Sequence, residues 1–285
     1  MTNHLALVGE CINRTEATYD VRDTILFALG LGFGSSPTDT NELKFVYEEG
    51  LATLPTMSLI VGYPGFWMRD PKYGFEWQKV LHAEEELIIH EPLPVSGTLL
   101  GETFVDELVD RGEEKGVFVY TRKELTDLRT GKKYATVNSN TLARGDGGFG
   151  GPSTARSRPA PMPDRKPDHV CDIPTLPQQA LIYRLSGDMN PLHADPEIAR
   201  NVGFERPILH GRCPMGIAQR AILQTCCEFR AETVKSMRLR FSAPFLPGET
   251  LRTEMWQDQH EIHFRSSSVE RDLVVLNNGL VTLDN

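Results

Sequence analysis

A carboxylate, an amide and an imidazole fall within six residues of one another at Asp188, Asn190 and His193, around a turn that Asn190-Pro191 forces on the chain. Asp and His have opposite protonation habits, so one bound water or substrate could give a proton to one group and receive a proton from the other. The same stretch also reads as plain turn structure. In that reading a helix ends at Ser186-Gly187, an Asx turn runs from Asp188 to Asn190, and a new helix opens at Asp195-Pro196-Glu197. Seventeen residues after His193 comes His210, in the run Pro207-Ile208-Leu209-His210-Gly211 just ahead of the helical run 217–223. Backbone N–H groups at a helix start have no partner within the helix and carry about half a positive charge between them. Gly211 would let a ligand approach such an N–H. A carbonyl oxygen gaining negative charge there would be stabilised, and loss of one such donor typically costs roughly 3 to 4 kcal/mol of barrier.

These segments together resemble the MaoC-like, (R)-specific enoyl-CoA hydratases, or hydratase 2, with the signature Tyr-x-Leu-Ser-Gly-Asp-x-Asn-Pro-Leu-His at 183–193 and Pro-Ile-Leu-His-Gly at 207–211. Residues 22–32, Leu54-Pro55-Thr56, Val80-Leu81-His82 and 145–151 are similar to the hydratase unit of peroxisomal type 2 multifunctional enzymes. The resemblance implies that Asp188 and His193 are the catalytic pair, Asn190 the supporting amide and Gly211 the oxyanion N–H. It further implies that water adds to C3 and a proton to C2 of a trans-2-enoyl-CoA. The product is a (3R)-3-hydroxyacyl-CoA, in fatty-acid or sterol side-chain β-oxidation-type metabolism. Neither metal nor cofactor is expected, and the sequence leaves open which of the pair is the base. Substrate contacts are expected from His210, Arg212, Pro55, Thr56 and Met57. Arg212 departs from the usual Leu after His-Gly; its long side chain is expected to reach solvent, with a CoA phosphate as the alternative. A homodimer is expected on the same ground. The competing readings are an acyl-CoA thioesterase and an idle acyl-CoA-binding subunit. The intact 188–193 loop opposes both, and the chain has no Gly-x-Ser-x-Gly elbow.

Composition bounds the rest. A formal charge of -9 over 285 residues disfavours nucleic acid as a partner. No apolar run reaches the roughly 20 residues that span a bilayer. Five cysteines, odd in number and without metal spacing, are expected to be reduced thiols. With no signal-like start and no peroxisomal C-terminal tripeptide, the expected compartment is the cytoplasm.

The elements that must position the loop fall in two halves, 1–144 and 168–285, about a Gly-, Pro- and Ser-rich linker at 145–167. Gly145, Gly147 and Gly150 satisfy a bare Gly-x-Gly-x-x-Gly, but Gly151-Pro152 follow where a helix would start, so no dinucleotide site is expected. The halves repeat one another: Pro55 to Pro92 and Pro207 to Pro244 have the same spacing, and residues 26–32 parallel 182–188. The first copy lacks counterparts of Asp188, Asn190 and His193, which leaves it free to bind an acyl chain. Each methylene buried there would contribute about 0.8 kcal/mol. Met237, Leu239 and Phe241 alternate with polar residues as in an antiparallel strand, and 273–276 with 280–283 read as a hairpin turning at Asn277-Asn278-Gly279. The order is α+β. The resemblance makes it a double hot-dog fold, with two helix-wrapped antiparallel sheets in one chain, paired edge to edge.

Overall fold

The structure, a computed structural model, describes residues 4–36, 38–153 and 161–284. In the first half, β1 (Cys11–Tyr19) leads into α1 (Val21–Gly30) and α2 (Thr40–Val46). Four strands follow: β2 (Val80–Ile89), β3 (Gly97–Asp110), β4 (Val117–Asp127) and β5 (Lys133–Ala143). The second half repeats the plan with β6 (His169–Pro174), α3 (Gln179–Tyr183), α4 (Pro196–Asn201) and α5 (Arg212–Cys226). Its strands are β7 (Val234–Phe241), β8 (Thr250–Asp258), β9 (Glu261–Ser268) and β10 (Leu273–Leu283).

All ten strands form one antiparallel sheet in the order β1-β3-β4-β5-β2-β7-β10-β9-β8-β6. Read inward from either edge, corresponding strands of the two halves follow in the same sequence and meet at the β2–β7 seam. The seam pairs Glu84 to Ile88 with Arg240 to Ser236, so Glu86 faces Arg238. The offset separating Pro55 from Pro207 also separates Glu86 from Arg238. Each of these two residues therefore faces its own counterpart, and an approximate two-fold axis passes between them. The expected edge-to-edge pairing of the halves is borne out at this seam.

The copies differ in what lies against the sheet. In the second half α5 runs for 15 residues and is buried on every side from Cys213 to Leu223, as befits a central hot-dog helix. In the first half the equivalent stretch is one 3₁₀ turn, Pro55–Leu59. Gly62-Tyr63-Pro64-Gly65 follows it, a run of breakers that a helix does not cross. The expected hairpin at 273–283 is instead one strand, β10, with a bulge where its register to β7 slips between Asn277 and Leu280. Asn278 has φ of +50°, and a side chain on Gly279 would come within 2.5 Å of the Phe264 ring. Asn-Gly supplies those conformations to a bulge as readily as to a turn.

Part of the segment read as linker is folded. Asp110 accepts hydrogen bonds from the N–H groups of Gly112, Gly148 and Gly150 at 2.8, 2.8 and 2.7 Å. Residues 154–160 lie outside the described ones. Among the described residues no helix is long and apolar enough to cross a membrane.

Candidate active site

The loop after α3 is built by short polar side chains that replace backbone partners. Gly187 ends the helical run with φ of +127°, a conformation that L side chains rarely adopt. Asp188 Oδ1 accepts from the Asn190 N–H at 3.2 Å, and Asn190 Oδ1 accepts from the Leu192 N–H at 3.1 Å. Pro191–His193 form a 3₁₀ turn, and Asp195 caps α4 through the N–H groups of Glu197 and Ile198. The turn reading of this stretch is thus correct, and the consecutive Asx turns are what bring the Asp188 carboxylate and His193 to one place.

Hydrogen-bond partners fix the imidazole tautomers. His193 Nδ1 lies 2.9 Å from the Ile208 carbonyl. A carbonyl can only accept, so Nδ1 carries the hydrogen and Nε2 keeps its lone pair. His210 Nε2 lies 3.0 Å from the Asp188 carbonyl, which puts the hydrogen on Nε2 and leaves Nδ1, buried and without a protein partner, as an acceptor. The two rings stack at 3.7 Å between centroids. Burial lowers the His193 pKa below its ordinary 6.5. Burial together with neighbouring His193 takes His210 down to about 4. Both rings are therefore neutral near pH 7.

Ligand-type atoms of Asp188, His193 and His210 all lie within 4.8 Å of one another. The rings lie 29° from parallel, and each keeps one unprotonated nitrogen near Asp188.

α5 starts beside this cluster. Gly211 caps it with φ of -56° and ψ of -36°, and no side chain satisfies the first turn. A Cβ at Gly211 would meet the Phe241 ring at 3.4 Å, an ordinary contact, so neither backbone angle nor crowding demands glycine here.

Arg212 corrects an expectation. Its side chain does not reach solvent but turns inward to Glu85 of β2, with Nη2 3.0 Å from Oε1 and Nε 3.4 Å from Oε2. Nη1 donates to the Leu59 carbonyl at 3.2 Å, and the guanidinium lies 4.3 Å from the Tyr63 ring centroid. The reason is Glu85, whose carboxylate is wholly buried and needs a counter-charge. Burial pushes the Glu85 pKa up, but Arg212 and His82 outweigh it and hold the carboxyl at about 2. Each guanidinium nitrogen of Arg212 thus has a protein partner.

The residues expected to contact substrate in the first half separate. Pro55 lines an apolar cavity of about 230 Å³ with Leu51, Ile89, Leu93 and Ala231. Thr56 and Met57 are buried and do not line it: Thr56 Oγ1 donates to Gln219 Oε1 of α5 at 2.7 Å, and Met57 Sδ receives a contact from Thr24 Oγ1 at 3.7 Å. Sequence reasoning missed Lys123, whose buried Nζ donates to the carbonyls of Ser58, Leu59 and Val61 at 2.7, 3.3 and 2.7 Å and so caps the 3₁₀ turn. It also missed Glu42, which is buried against Arg220 of α5. The available signal was a charge at inward strand positions, Glu85 beside Leu87 and Lys123 beside Leu125.

This arrangement can be set beside known proteins. The MaoC like domain matches residues 159–278, and the MFE-2 hydratase 2 N-terminal domain matches residues 17–145. Peroxisomal enoyl-CoA hydratase 2 of Arabidopsis thaliana is 34% identical, over 95% of this chain and 92% of its own length. The chain belongs to the hydratase 2 family of MaoC-like proteins. The crystal structure of a MaoC-like dehydratase from Phytophthora capsici superposes with a TM-score of 0.85 at 33% identity, covering 98% of this chain and 96% of the other. The architecture is the double hot-dog of such proteins. Mouse peroxisomal multifunctional enzyme type 2 is 36% identical over 97% of this hydratase 2 chain, which spans 38% of that longer protein.

Proposed function

We propose that this chain catalyses the reversible hydration of trans-2-enoyl-CoA thioesters to (3R)-3-hydroxyacyl-CoA, in a β-oxidation-type sequence. The observation that carries the reading is the His193 Nε2 lone pair, left free by the Nδ1 bond to Ile208, beside the Asp188 carboxylate and the open start of α5. Three hydratase-type requirements meet there: an acceptor for a water proton, a second acceptor that orients that water, and an N–H for the thioester oxygen.

In the proposed reaction the thioester oxygen lies on the Gly211 N–H, which draws electron density from C3. Water sits between Asp188 and His193 Nε2. As its oxygen bonds to C3, one water proton passes to Nε2, and the π electrons move to an enolate whose oxygen charge is stabilised at the start of α5. The same proton then passes from Nε2 to C2 and the carbonyl reforms, so one water has been added and His193 is neutral again. The Asp188 carboxylate supports the transient imidazolium. Asn190 holds the loop, and the His210 Nε2–H fixes the Asp188 backbone.

The acyl chain is assigned to the first half. Ile60 Cγ2 lies 3.2 Å from the Cβ position of Gly187, while Pro55 and Ser58, on the same turn, line the apolar cavity. The turn thus joins the catalytic loop to a space that offers about 0.8 kcal/mol for each methylene it takes up. In this half Ser58 and Leu59 stand at the repeat positions of His210 and Gly211, which agrees with a non-catalytic role for residues 1–144. A cytoplasmic homodimer belongs to the same proposal, supported for the compartment by five free thiols; light scattering tests the assembly.

The test is incubation with trans-2-enoyl-CoAs of increasing length, following loss of the enoyl absorbance, hydroxyacyl-CoA and free thiol. Hydroxyacyl-CoA without free thiol is expected. Free CoA without hydroxyacyl-CoA would overturn the hydratase reading in favour of thioester hydrolysis, and binding without any turnover would leave an idle acyl-CoA-binding subunit.

A further inference from the structure

Glu85 occupies an inward-facing position of β2, between strand neighbours that point outward and two residues from the fully buried Leu87. A core position in a sheet is ordinarily apolar, because a buried carboxylate must be paired and hydrogen-bonded to be tolerated. Here Arg212 at 3.0 Å and Ser139 Oγ at 2.9 Å donate to it, and His82 Nε2 lies 2.5 Å away without hydrogen-bond geometry. His82 packs on the Phe241 ring at 4.5 Å between centroids. Phe241 in turn faces Gly211: a Cβ placed there would meet its ring at 3.4 Å.

The contacts close on themselves. Starting at Gly211, the chain leads through the next residue, Arg212, to Glu85, on to His82, then to Phe241, and back to Gly211. Gly211 is tied to its peptide neighbour Arg212 on one side and faces the Phe241 ring on the other, and both lead to one carboxylate. That carboxylate belongs to the half of the chain that carries none of the proposed acid/base residues.

We propose that Glu85 is a positioning residue that sets the direction of the Gly211 N–H from the non-catalytic half, acting through Arg212 and through His82 and Phe241. The inference rests on the reading of Gly211 as the donor to the thioester oxygen. A pair placed only for stability would be indifferent to the exact path of the α5 entry. A positioning pair fixes the donor to within the few tenths of an ångström over which transition-state hydrogen bonding is decided.

The test uses the full chain, the variants Glu85→Gln, Arg212→Leu and the double variant, and 4-(dimethylamino)cinnamoyl-CoA, a push–pull chromophore whose absorption moves to the red as its carbonyl is polarised. Wild-type protein is expected to redden the bound probe. Glu85→Gln is expected to lose most of that shift and to lower kcat at least tenfold with KM changed less than about twofold. The double variant removes both buried charges, so it carries the test if a single variant fails to fold. It is expected to recover thermal stability without recovering kcat or the shift. A double variant with wild-type kcat and full red shift would overturn the positioning role while leaving the Gly211 reading intact. Wild-type protein that binds the probe without any red shift would overturn the Gly211 reading, and this inference with it.

Discussion

Replacing Asp188 separates turn-building from chemistry, because its two oxygens do different work. One accepts the Asn190 N–H at 3.2 Å, a bond of ordinary strength worth about 1 kcal/mol net. An amide oxygen accepts equally well, so Asp188→Asn keeps the Asx turn and should change stability by less than about 0.5 kcal/mol. Asp188→Ala loses the bond and should cost about 1 kcal/mol, which in a chain of this size lowers Tm by roughly 2 °C. The His210 bond is to the Asp188 backbone carbonyl and survives in both variants. Activity should not follow this difference. Both variants lack the carboxylate, and loss of a positioned acid/base group costs about 10²- to 10⁴-fold, or roughly 3 to 5 kcal/mol of barrier. The assay is initial hydration rate by enoyl absorbance at saturating substrate, alongside thermal unfolding and calorimetric binding of a saturated acyl-CoA. Near-equal losses of kcat with unequal Tm and unchanged binding are expected. An Asp188→Asn enzyme that keeps more than a tenth of wild-type kcat would refute the role assigned to this carboxylate.

Three further expectations follow from the same geometry. Gly211→Ala has a helix-compatible backbone and an ordinary contact awaiting its methyl, so it should gain up to about 1 kcal/mol of stability; a fall in Tm beyond a few degrees would count against the backbone argument. Lys123→Met strips the donor from three carbonyls and should cost about 3 kcal/mol in urea unfolding, with long-chain substrates losing more affinity than short ones. Stability should fall with acid. His193 and His210 have folded pKa values below their ordinary 6.5, so below that pH the unfolded chain binds more protons and unfolding is favoured, increasingly down to about 4, where folded His210 itself titrates. The urea midpoint should drop between pH 7 and pH 5, and drop less in His210→Gln; equal drops would remove His210 from the account.

What the sequence disclosed was what short-range rules govern. The Asx turns of 188–192 and the Asp195 cap are set by residues two or three positions apart, and the strand alternation at 237–241 is a local period. The edge-to-edge pairing came from the resemblance to double hot-dog proteins; which strands form the seam did not show in the local pattern. Arg212 was misread because its partner Glu85 lies 127 residues away and across that seam; a solvent-seeking side chain is the sound default when no buried carboxylate is in view. The bulge in β10 was misread because positive-φ residues serve both purposes, and only the neighbours β7 and β9 decide between them. The short turn at Pro55–Leu59 was foreshadowed by Gly62-Tyr63-Pro64-Gly65, but that it would be bolted by a buried lysine depended on β4 passing beneath it.

The axis between Glu86 and Arg238 bears on how such a protein can have arisen. Were the halves separate copies of a single ancestral unit joined in this register, the residue on the axis would meet itself, and a charge there would face its like. Opposite charges become available only once one chain encodes both sides and the two sites mutate apart. Glu86 facing Arg238 is then the mark of fusion: a seam that now prefers unlike halves and penalises the pairing of like ones. Symmetry lost at the seam matches the asymmetry proposed for the site, with proton transfer assigned to one half and the acyl cavity to the other.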